Sequence, residues 1–339
     1  MSEITEKIPH WFKGEENIVS VYSSVRISRN YSGMNFPSSP GYSLYREVEK
    51  KTDDILTEHL ISKRIVKFSL SAIPQEEILR MKRLRILPEK RNDILIRLAL
   101  YYDGKTRSYL LTNYIDHLTF FSHSQGTKIA SAFKNCTSFA ELFENAGLAK
   151  DSRGNYLTSG IDYFGSGLKC FSVLSVPVLR IAGKIGEIRS SLEYNGMSVQ
   201  SYFRSAEDFI FIISNRDSFS VPQGEILKNF KKILNELKKM SIDVADDPGM
   251  KNYGVMRKRW LEIINSEHLT FKDFIEIYDI LSFLRWKGII KLRISELNRV
   301  LVLLMQESSG IVSGGALKRS LTDEFLKKAA KTINKEVTR

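Results

Sequence analysis

The segment Ile94–Ser122 constrains the fold of this chain more than any other stretch. It reads ILIRLALYY, then a DGK turn, then RSYLLTN and LTFFS. Runs of β-branched and aromatic residues joined by tight turns are typical of hairpin-connected strands. The segment therefore predicts an antiparallel sheet. Another strand is predicted by the alternation in Ile18–Ile27, with Arg26 and Arg29 exposed, and a pair of strands is predicted within Gly196–Asn215.

Much of the remaining chain has helical character, so we predict an α+β fold in which helices flank an antiparallel β-sheet. Residues 1–245 form this unit, with a helical part at about 41–91 and a sheet-containing part at about 92–245. The segment Asp243–Asn252 is dense in Asp, Pro and Gly and is predicted to be a linker. A helical domain at 250–339 follows. Beyond residue 91, helices are predicted at about Gly126–Gly147, Val178–Ile188, Pro222–Met240, Tyr253–Ile264, Thr270–Lys287, Ser295–Gln306 and Leu321–Lys335.

Charge narrows the classes of function. The chain has 339 residues and a formal net charge of +12, which favours acidic partners such as nucleic acid, phosphates or anionic lipid. The basic residues are spread along the chain, and those in Leu227–Leu237 are expected to form the solvated face of an amphipathic helix. A basic helix, Gln75–Leu87, keeps one alternative open, in which Arg80, Lys82 and Arg83 bind nucleic acid or another polyanion.

Neither a metal site nor a membrane span is predicted. The two cysteines, Cys136 and Cys170, make no disulfide framework, and no group of Cys and His has metal-ligand spacing. The longest uncharged apolar run, Cys170–Leu179, is too short to cross a bilayer. The first residues, MSEITEK, have no apolar segment typical of a signal peptide. We therefore expect a cytoplasmic protein in a reducing environment.

A glycine-rich stretch, Asn155–Leu179, carries the clearest indication of function. It reads NYLTSGIDYFGSGLKCFSVLSVPVL, a turn of small residues followed by one cation, Lys169, and an apolar run. Backbone N–H groups in such a loop are able to cradle an anion. A Gly/Ser turn before a core element is also common in proteins without a phosphate site, so the pattern by itself leaves both interpretations open.

Several motifs together resemble one enzyme family. Leu157–Leu179 is similar to LTSCPTNxGTGxRAS…LPAL, and Val21–Pro37 is similar to SSRIRLARN followed by a turn into FP. Asn113–His117, NYIDH, stands where the family has NEEDH, and Phe209–Asn215 ends like the family's NIFQISN. Ser313–Arg319 also resembles the C-terminal region of one branch. The family is that of the ATP:guanido phosphotransferases, and the branch is that of the bacterial protein-arginine kinases.

The resemblance implies a guanido-kinase-like catalytic domain whose arginines contact the phosphates of ATP. Arg26 aligns with one of these arginines. Lys169 replaces another and keeps its charge, but not the bidentate geometry of a guanidinium. Three further family positions for contacts to phosphate carry uncharged residues, namely Ser24, Thr119 and Gln200.

The resemblance also implies catalytic positions that have changed. The glutamate presumed to be the catalytic base of the family aligns with Ile115, and the family's cysteine aligns with Gly160. The Pro-Thr-Asn that follows the cysteine is replaced at residues 161–163. Asp116 and His117 match the family motif and are expected to be turn and packing residues.

These replacements predict a degenerate protein-arginine-kinase-like protein that acts by binding, as a dimeric regulator or scaffold. The resemblance implies homodimerisation through the C-terminal helices, and partners such as a zinc-binding activator protein or Clp protease components. An alternative is an active guanidino kinase that uses Mg-ATP, Arg26, Lys169 and an unlocated base. The polyanion binder is the other alternative. The family's phosphoarginine-recognising Arg-Asp motif aligns with Glu324 and Phe325, so that pocket is not expected here.

Overall fold

A computed structural model of the chain describes residues 11, 19–39, 42–59, 64–83, 86–87, 97–202, 210–216, 218–219, 221–247, 253–264, 271–290, 292–293 and 297. Within these residues eight strands form one sheet in the order β2-β3-β4-β5-β1-β6-β8-β7, and every neighbouring pair is antiparallel. The strands are β1 (Ser20–Arg29), β2 (Ile65–Ser69), β3 (Ala99–Asp103), β4 (Ser108–Thr112), β5 (Leu118–Gln125), β6 (Leu168–Leu174), β7 (Met197–Ser201) and β8 (Phe211–Asn215).

Helices pack on both sides of this sheet, as the sequence predicts for an α+β fold. Their bounds in the described residues are α1 (Tyr45–Glu58), α2 (Gln75–Arg83), α3 (Ile129–Ala140), α4 (Pro177–Ile181), α5 (Ile185–Tyr194), α6 (Gln223–Asp246), α7 (Tyr253–Ile264) and α8 (Phe271–Trp286). Helix α6 begins after Pro222, which occupies its N-cap position. The predicted amphipathic helix Pro222–Met240 is thereby confirmed, and it continues six residues beyond Met240, the last four of which belong to the predicted linker.

The alternation of side chains along the strands divides the core into two layers. We call the side of the sheet that carries Tyr22 and Arg26 the front face, and the side that carries Ile27 and Arg29 the back face. Aromatic residues of β1, β4, β5 and β6 form the front layer together with α2, α7 and α8. Apolar faces of α1, α3, α5 and α6 cover the back layer. Both faces of the central strand β1 are therefore enclosed.

This enclosure makes the predicted exposure of two arginines wrong. Arg26 is half-buried, and Arg29 is only 3% exposed. The alternation in Ile18–Ile27 is that of a strand with one face in water, but β1 pairs with both β5 and β6 and has helices or loops over each face. Tertiary position overrides the local pattern in this strand.

Two predicted helical segments contain other structure as well. The part at 41–91 includes β2, because this strand adds to the free edge of β3, and its Lys67 pairs with Glu49 and Asp53 of α1 at 2.6 and 2.7 Å. The predicted helix Val178–Ile188 is divided into α4 and α5 at Gly183, whose φ of +70° lies in the left-handed region that ends helices.

The predicted C-terminal helices at 253–264 and 270–287 are confirmed as α7 and α8. Arg180 of α4 lies 3.2 Å from the buried carboxylate of Asp279 in α8, so α8 packs against the sheet-containing part of the chain. The other predicted helices, apart from Leu297, lie outside the described residues, as do the SGGALKR motif and residues 324–325. The domain boundary near residue 250 stays a prediction. None of the helices in the described ranges is long and apolar enough to span a membrane.

Candidate functional site

Four of the five predicted phosphate positions lie close together on the front face. The β1–β6 register places Arg26 opposite Lys169, and the β1–β5 register places Ser28 opposite Thr119. Ser24 precedes Arg26 by two residues and so shares its side of the strand. The fifth position, Gln200, is an exposed residue of β7, which is separated from β6 by β8.

Arg26 is held by aromatic side chains. Its guanidinium carbon lies 5.0 Å from the ring centre of Phe171 and 5.8 Å from that of Phe121. Arg26 also hydrogen-bonds to Tyr163, in the loop that precedes β6. Burial raises the pKa of the Tyr163 hydroxyl, and the nearby guanidinium offsets only part of that shift, so the hydroxyl stays neutral. The interactions of this cation are thus made within the protein.

Lys169 is engaged by the same loop. Its Nζ lies 3.4 Å from a carboxylate oxygen of Asp162 and donates to the backbone carbonyl of Arg216 at 3.2 Å. Lys169 is 9% exposed, whereas the Asp162 side chain is 60% exposed. A carboxylate of the protein itself therefore pairs with the lysine that the sequence predicts to contact phosphate.

The uncharged positions are built into the sheet. Ser24 is fully buried, and its hydroxyl donates to the carbonyl of Ser122 at 3.0 Å. Thr119 is also buried. Around them lies an aromatic cluster in which the ring of Trp11 is 4.6 Å from that of His123. The cluster continues along the front face through Tyr22, Tyr109, Phe121 and Phe171.

The two predicted catalytic positions lie in adjacent loops. The Ser159 hydroxyl, one residue before Gly160, donates to the carbonyl of Ile115 at 2.8 Å. Ile115 is 38% exposed and has an aliphatic side chain, which is unable to accept a proton. Gly160 has no side chain to supply a thiol. The loops that would bring a base and a cysteine together are therefore adjacent, but those two groups are missing.

Asp116 and His117 have the structural roles that the sequence predicts. Asp116 accepts hydrogen bonds from Asn30 Nδ2 and from the N–H of Ser159, both at 2.7 Å. His117 accepts from the N–H of Tyr31 through Nδ1, at 3.1 Å. Its Nε2 lies 3.0 Å from the carbonyl of Asn35, which fixes the neutral tautomer with the proton on Nε2. Burial lowers the pKa of His117 to about 4.

Contacts within the fold are sufficient to explain the glycine at residue 167 of this turn. Gly167 has a φ of +69°, and a Cβ placed on it would overlap Nη1 of Arg29 and lie 2.7 Å from the carbonyl of Ser28. Arg29 approaches from the back face, where its guanidinium lies 3.4 Å from the ring centre of Tyr156 and 3.8 Å from Glu144. Burial lowers the pKa of Arg29, and Glu144 partly offsets this.

Sequence reasoning missed the cluster of Arg29, Tyr156 and Glu144, because these residues are far apart in the chain and no local pattern joins them. It also missed the pairing of Asp162 with Lys169. The sequence did contain a signal for that contact, because Asp162 and Lys169 have opposite charges and stand on either side of a tight glycine turn.

One residue of the predicted polyanion-binding surface is not available for binding. The basic helix is α2, and its Lys82 is buried, at 6% exposure, so Lys82 does not present its charge on the surface. Across the described residues no three His, Cys, Asp or Glu side chains are grouped so as to hold a metal ion.

Comparison with known sequences identifies the family. The profile of the ATP:guanido phosphotransferase C-terminal catalytic domain matches residues 41–241, more than half of the chain. The chain belongs to the ATP:guanido phosphotransferase family. It is similar to the protein-arginine kinase of Caldanaerobacter subterraneus subsp. tengcongensis, with 22% identity over 305 residues, which cover 83% of this chain and 87% of the relative. The protein-arginine kinase of Brevibacillus brevis is 24% identical over 243 residues, covering 67% and 66%.

Solved structures confirm the guanido-kinase fold. A crystal structure of lombricine kinase matches with a TM-score of 0.54 and 16% identity over 68% of each chain. The duplicated taurocyamine kinase from Schistosoma mansoni, with bound transition state analog components, matches with a TM-score of 0.55 and 14% identity over 69% of this chain and 36% of that one. The predicted α+β fold and the predicted protein-arginine kinase branch of the ATP:guanido phosphotransferases are both confirmed.

Proposed function

We propose that this ATP:guanido phosphotransferase family member acts by binding other proteins and does not transfer phosphate. One observation carries the proposal. The front face, where the family alignment places the contacts to phosphate, retains two cations, and both are engaged by the loop at residues 161–163. The proposed protein is a regulator or scaffold that keeps the kinase fold.

The front face does not suit the polyphosphate chain of Mg-ATP. Ser24 and Thr119 carry no charge, and Arg26 is engaged by Tyr163 and by aromatic rings at 5.0 and 5.8 Å. Lys169 would have to exchange Asp162 for a phosphate, and a lysine holds phosphate as a point charge without bidentate geometry. A triphosphate needs several such contacts at once, and these residues do not supply them.

The missing groups also weigh against catalysis. An arginine that stabilises a transferring phosphoryl group contributes about 10³–10⁵ in rate, and a general base contributes about 10²–10⁴. These contributions do not add simply. Even so, the chain has isoleucine at the position of the base and glycine at that of the cysteine. Two carboxylates of the adjacent loops, Asp116 and Asp162, have other partners. Asp116 is committed to Asn30 and Ser159, and Asp162 to Lys169.

Protein partners follow from the same proposal. By analogy with the protein-arginine kinase branch, we propose that the chain forms a homodimer through its C-terminal helices. An activator protein or protease components remain the proposed partners.

Calorimetric titration of the full chain with Mg-ATP and Mg-ADP tests the proposal, because the titration can be done without a substrate. We expect no binding heat at millimolar nucleotide, and no acid-labile phosphoarginine on added proteins. Binding that weakens in a Lys169→Ala variant would overturn the proposal, and it would favour the active kinase with a non-standard site. Partner binding that persists in Lys169→Ala, even if it is severalfold weaker, would support it.

A further inference from the structure

Large apolar side chains are exposed around the former catalytic loops. Ile161 is 83% exposed and Phe219 is 51% exposed, and they are accompanied by Ile115 at 38%. Single exposed apolar residues are ordinary on protein surfaces, whereas a contiguous group marks an interaction site. The question is therefore whether these three residues are contiguous.

Hydrogen bonds and a ring contact bring together the loops that carry them. Ile161 and Phe164 are three residues apart across a 3₁₀ turn, Ile161–Tyr163, and side chains at this spacing eclipse each other. Phe164 in turn stacks on Phe219, with ring centres 5.3 Å apart and an angle of 20° between the planes. At the other end, Ser159 links this loop to Ile115. We call Ile115, Ile161, Phe164 and Phe219 the apolar strip.

The loops that carry the strip are fixed to one another. The Ser218 hydroxyl donates to the carbonyls of Asp162 at 3.2 Å and of Phe164 at 2.9 Å. Asp116 holds the N–H of Ser159 at 2.7 Å. A surface that is already ordered loses little conformational entropy when a partner binds, which favours binding. The apolar strip is thus a preformed surface at the mouth of the former active site.

Charge indicates what kind of partner fits this surface. The chain has a net charge of +12, and Lys169 is paired with Asp162, a carboxylate of the strip's own loop that is 60% exposed. An ion pair with one solvated partner is weak, so a carboxylate of a second molecule is able to replace Asp162 on Lys169. The same net charge opposes association of the strip with a second copy of the chain.

We propose that the apolar strip binds a segment of a partner protein in which large apolar side chains are accompanied by an acidic residue. The apolar side chains contact Ile161 and Phe219, and the acidic residue pairs with Lys169 in place of Asp162. This inference rests on the proposed function, because it uses the site for binding in place of phosphate transfer.

Selection from a peptide library tests the partner chemistry directly. Random dodecapeptides displayed on phage are selected on the full-length chain, and the affinities of enriched peptides are then measured by fluorescence polarisation. We expect peptides with at least two large apolar residues and at least one Asp or Glu. Their affinity should fall at least about tenfold in the Ile161→Ser/Phe219→Ser variant, since burial of two such side chains is lost. Lys169→Met should weaken them severalfold.

Val66→Ser is the matched control, because Val66 is 42% exposed and lies on edge strand β2, four strands away from β1. It should change the affinity less than twofold. Circular dichroism and the thermal midpoint check that each variant is folded. No enriched peptides, or peptides that bind the double variant as tightly as the unaltered chain, would overturn the proposal. So would a dimer, seen by sedimentation equilibrium, that dissociates in the double variant.

The outcome is separable from that of the nucleotide titration. Peptide binding that depends on Ile161 and Phe219 would support the apolar strip even if Mg-ATP also bound. In that case the proposal that the chain does not transfer phosphate would be overturned, whereas the proposal of a docking surface would be supported. If neither nucleotide nor peptide bound, the docking proposal would fail and the non-catalytic assignment would stand.

Discussion

Arg26 and Arg29 lie three residues apart on one strand, yet their surroundings have opposite character. Arg29 points to the back face, where Glu144, the ring of Tyr156 and two backbone carbonyls hold it. Arg26 points to the front face, where its neighbours are Phe121, Phe171 and Tyr163. The back-face arginine is part of the framework of the fold, and the front-face arginine lies where the family alignment predicts contacts to phosphate.

The comparison extends to the motifs around each arginine. Asn30, Asp116 and His117 match the family motifs, and they hydrogen-bond to one another or to the neighbouring backbone within the framework of the fold. Residues that would serve the chemistry, such as Ile115 and Gly160, do not match. The two sets are close together in space, because Ser159 hydrogen-bonds to both Asp116 and Ile115, so framework contacts persist directly beside positions that differ from the family motifs.

The largest effect is expected from removing the back-face cation. Arg29→Gln should lower the free energy of unfolding by about 4 kcal/mol, because it removes the close cation–π contact with Tyr156, the ion pair with Glu144 and the hydrogen bond to the Ser28 carbonyl. Arg26→Gln should lower it by about 1 to 2 kcal/mol, from two cation–π contacts of about 0.5–1 kcal/mol each. Guanidinium chloride unfolding followed by tryptophan fluorescence measures both. Equal losses would break the comparison between the two faces.

The Gly167→Ala variant tests whether the position of Arg29 requires glycine at residue 167. We expect a loss of about 3 kcal/mol, since left-handed backbone costs a non-glycine residue about 1 kcal/mol and overlap with Arg29 adds about 2 kcal/mol. Gly183→Ala is the control, because its φ is +70° with no atom within 4 Å of the added Cβ. It should lose only about 1 kcal/mol. A similar loss in both variants would mean that Arg29 does not dictate the glycine.

We expect the free energy of unfolding to depend on pH because His117 is buried in the folded chain. Its pKa is about 4 in the folded chain and about 6.5 when unfolded, so the unfolded chain binds the proton first as the pH falls. The free energy of unfolding should therefore decrease between about pH 6.5 and pH 4, by about 3 kcal/mol in total at about 1.4 kcal/mol per pKa unit. Denaturant titrations across this range measure the slope.

His117→Gln should flatten that slope, although it lowers stability at neutral pH. His59→Gln is the control, because His59 is exposed, and it should leave the slope unchanged. A slope that persists in His117→Gln would assign the pH dependence to other groups.

The smallest effect is expected at the front-face ion pair. Asp162→Asn should change the free energy of unfolding by less than about 1 kcal/mol, because the Asp162 side chain is 60% exposed and such pairs contribute about 0–1 kcal/mol. Thermal unfolding of the variant beside the unaltered chain is sufficient to measure it. A loss above about 2 kcal/mol would place Lys169 and Asp162 in the framework together with Arg29.

The sequence by itself determined the class of fold and the identity of the altered positions. Strand patterns in Ile94–Ser122 predicted the antiparallel sheet, and the motif alignment located Ile115, Gly160 and Lys169. These signals are local, since they depend on residue type and spacing within a short segment. They are therefore readable in the printed chain before any tertiary contact is seen.

The tertiary structure decided which groups meet across the sheet. Only the fold shows that β1 is central and enclosed and that Asp162 pairs with Lys169. It also shows that Arg29 and the Ser28 carbonyl leave no room for a Cβ at Gly167. Contacts between residues far apart in sequence depend on strand order and register, which local spacing does not encode. The front face is therefore an aromatic layer whose two cations contact the loop at residues 161–163. The apolar strip lies where three loops are joined by hydrogen bonds.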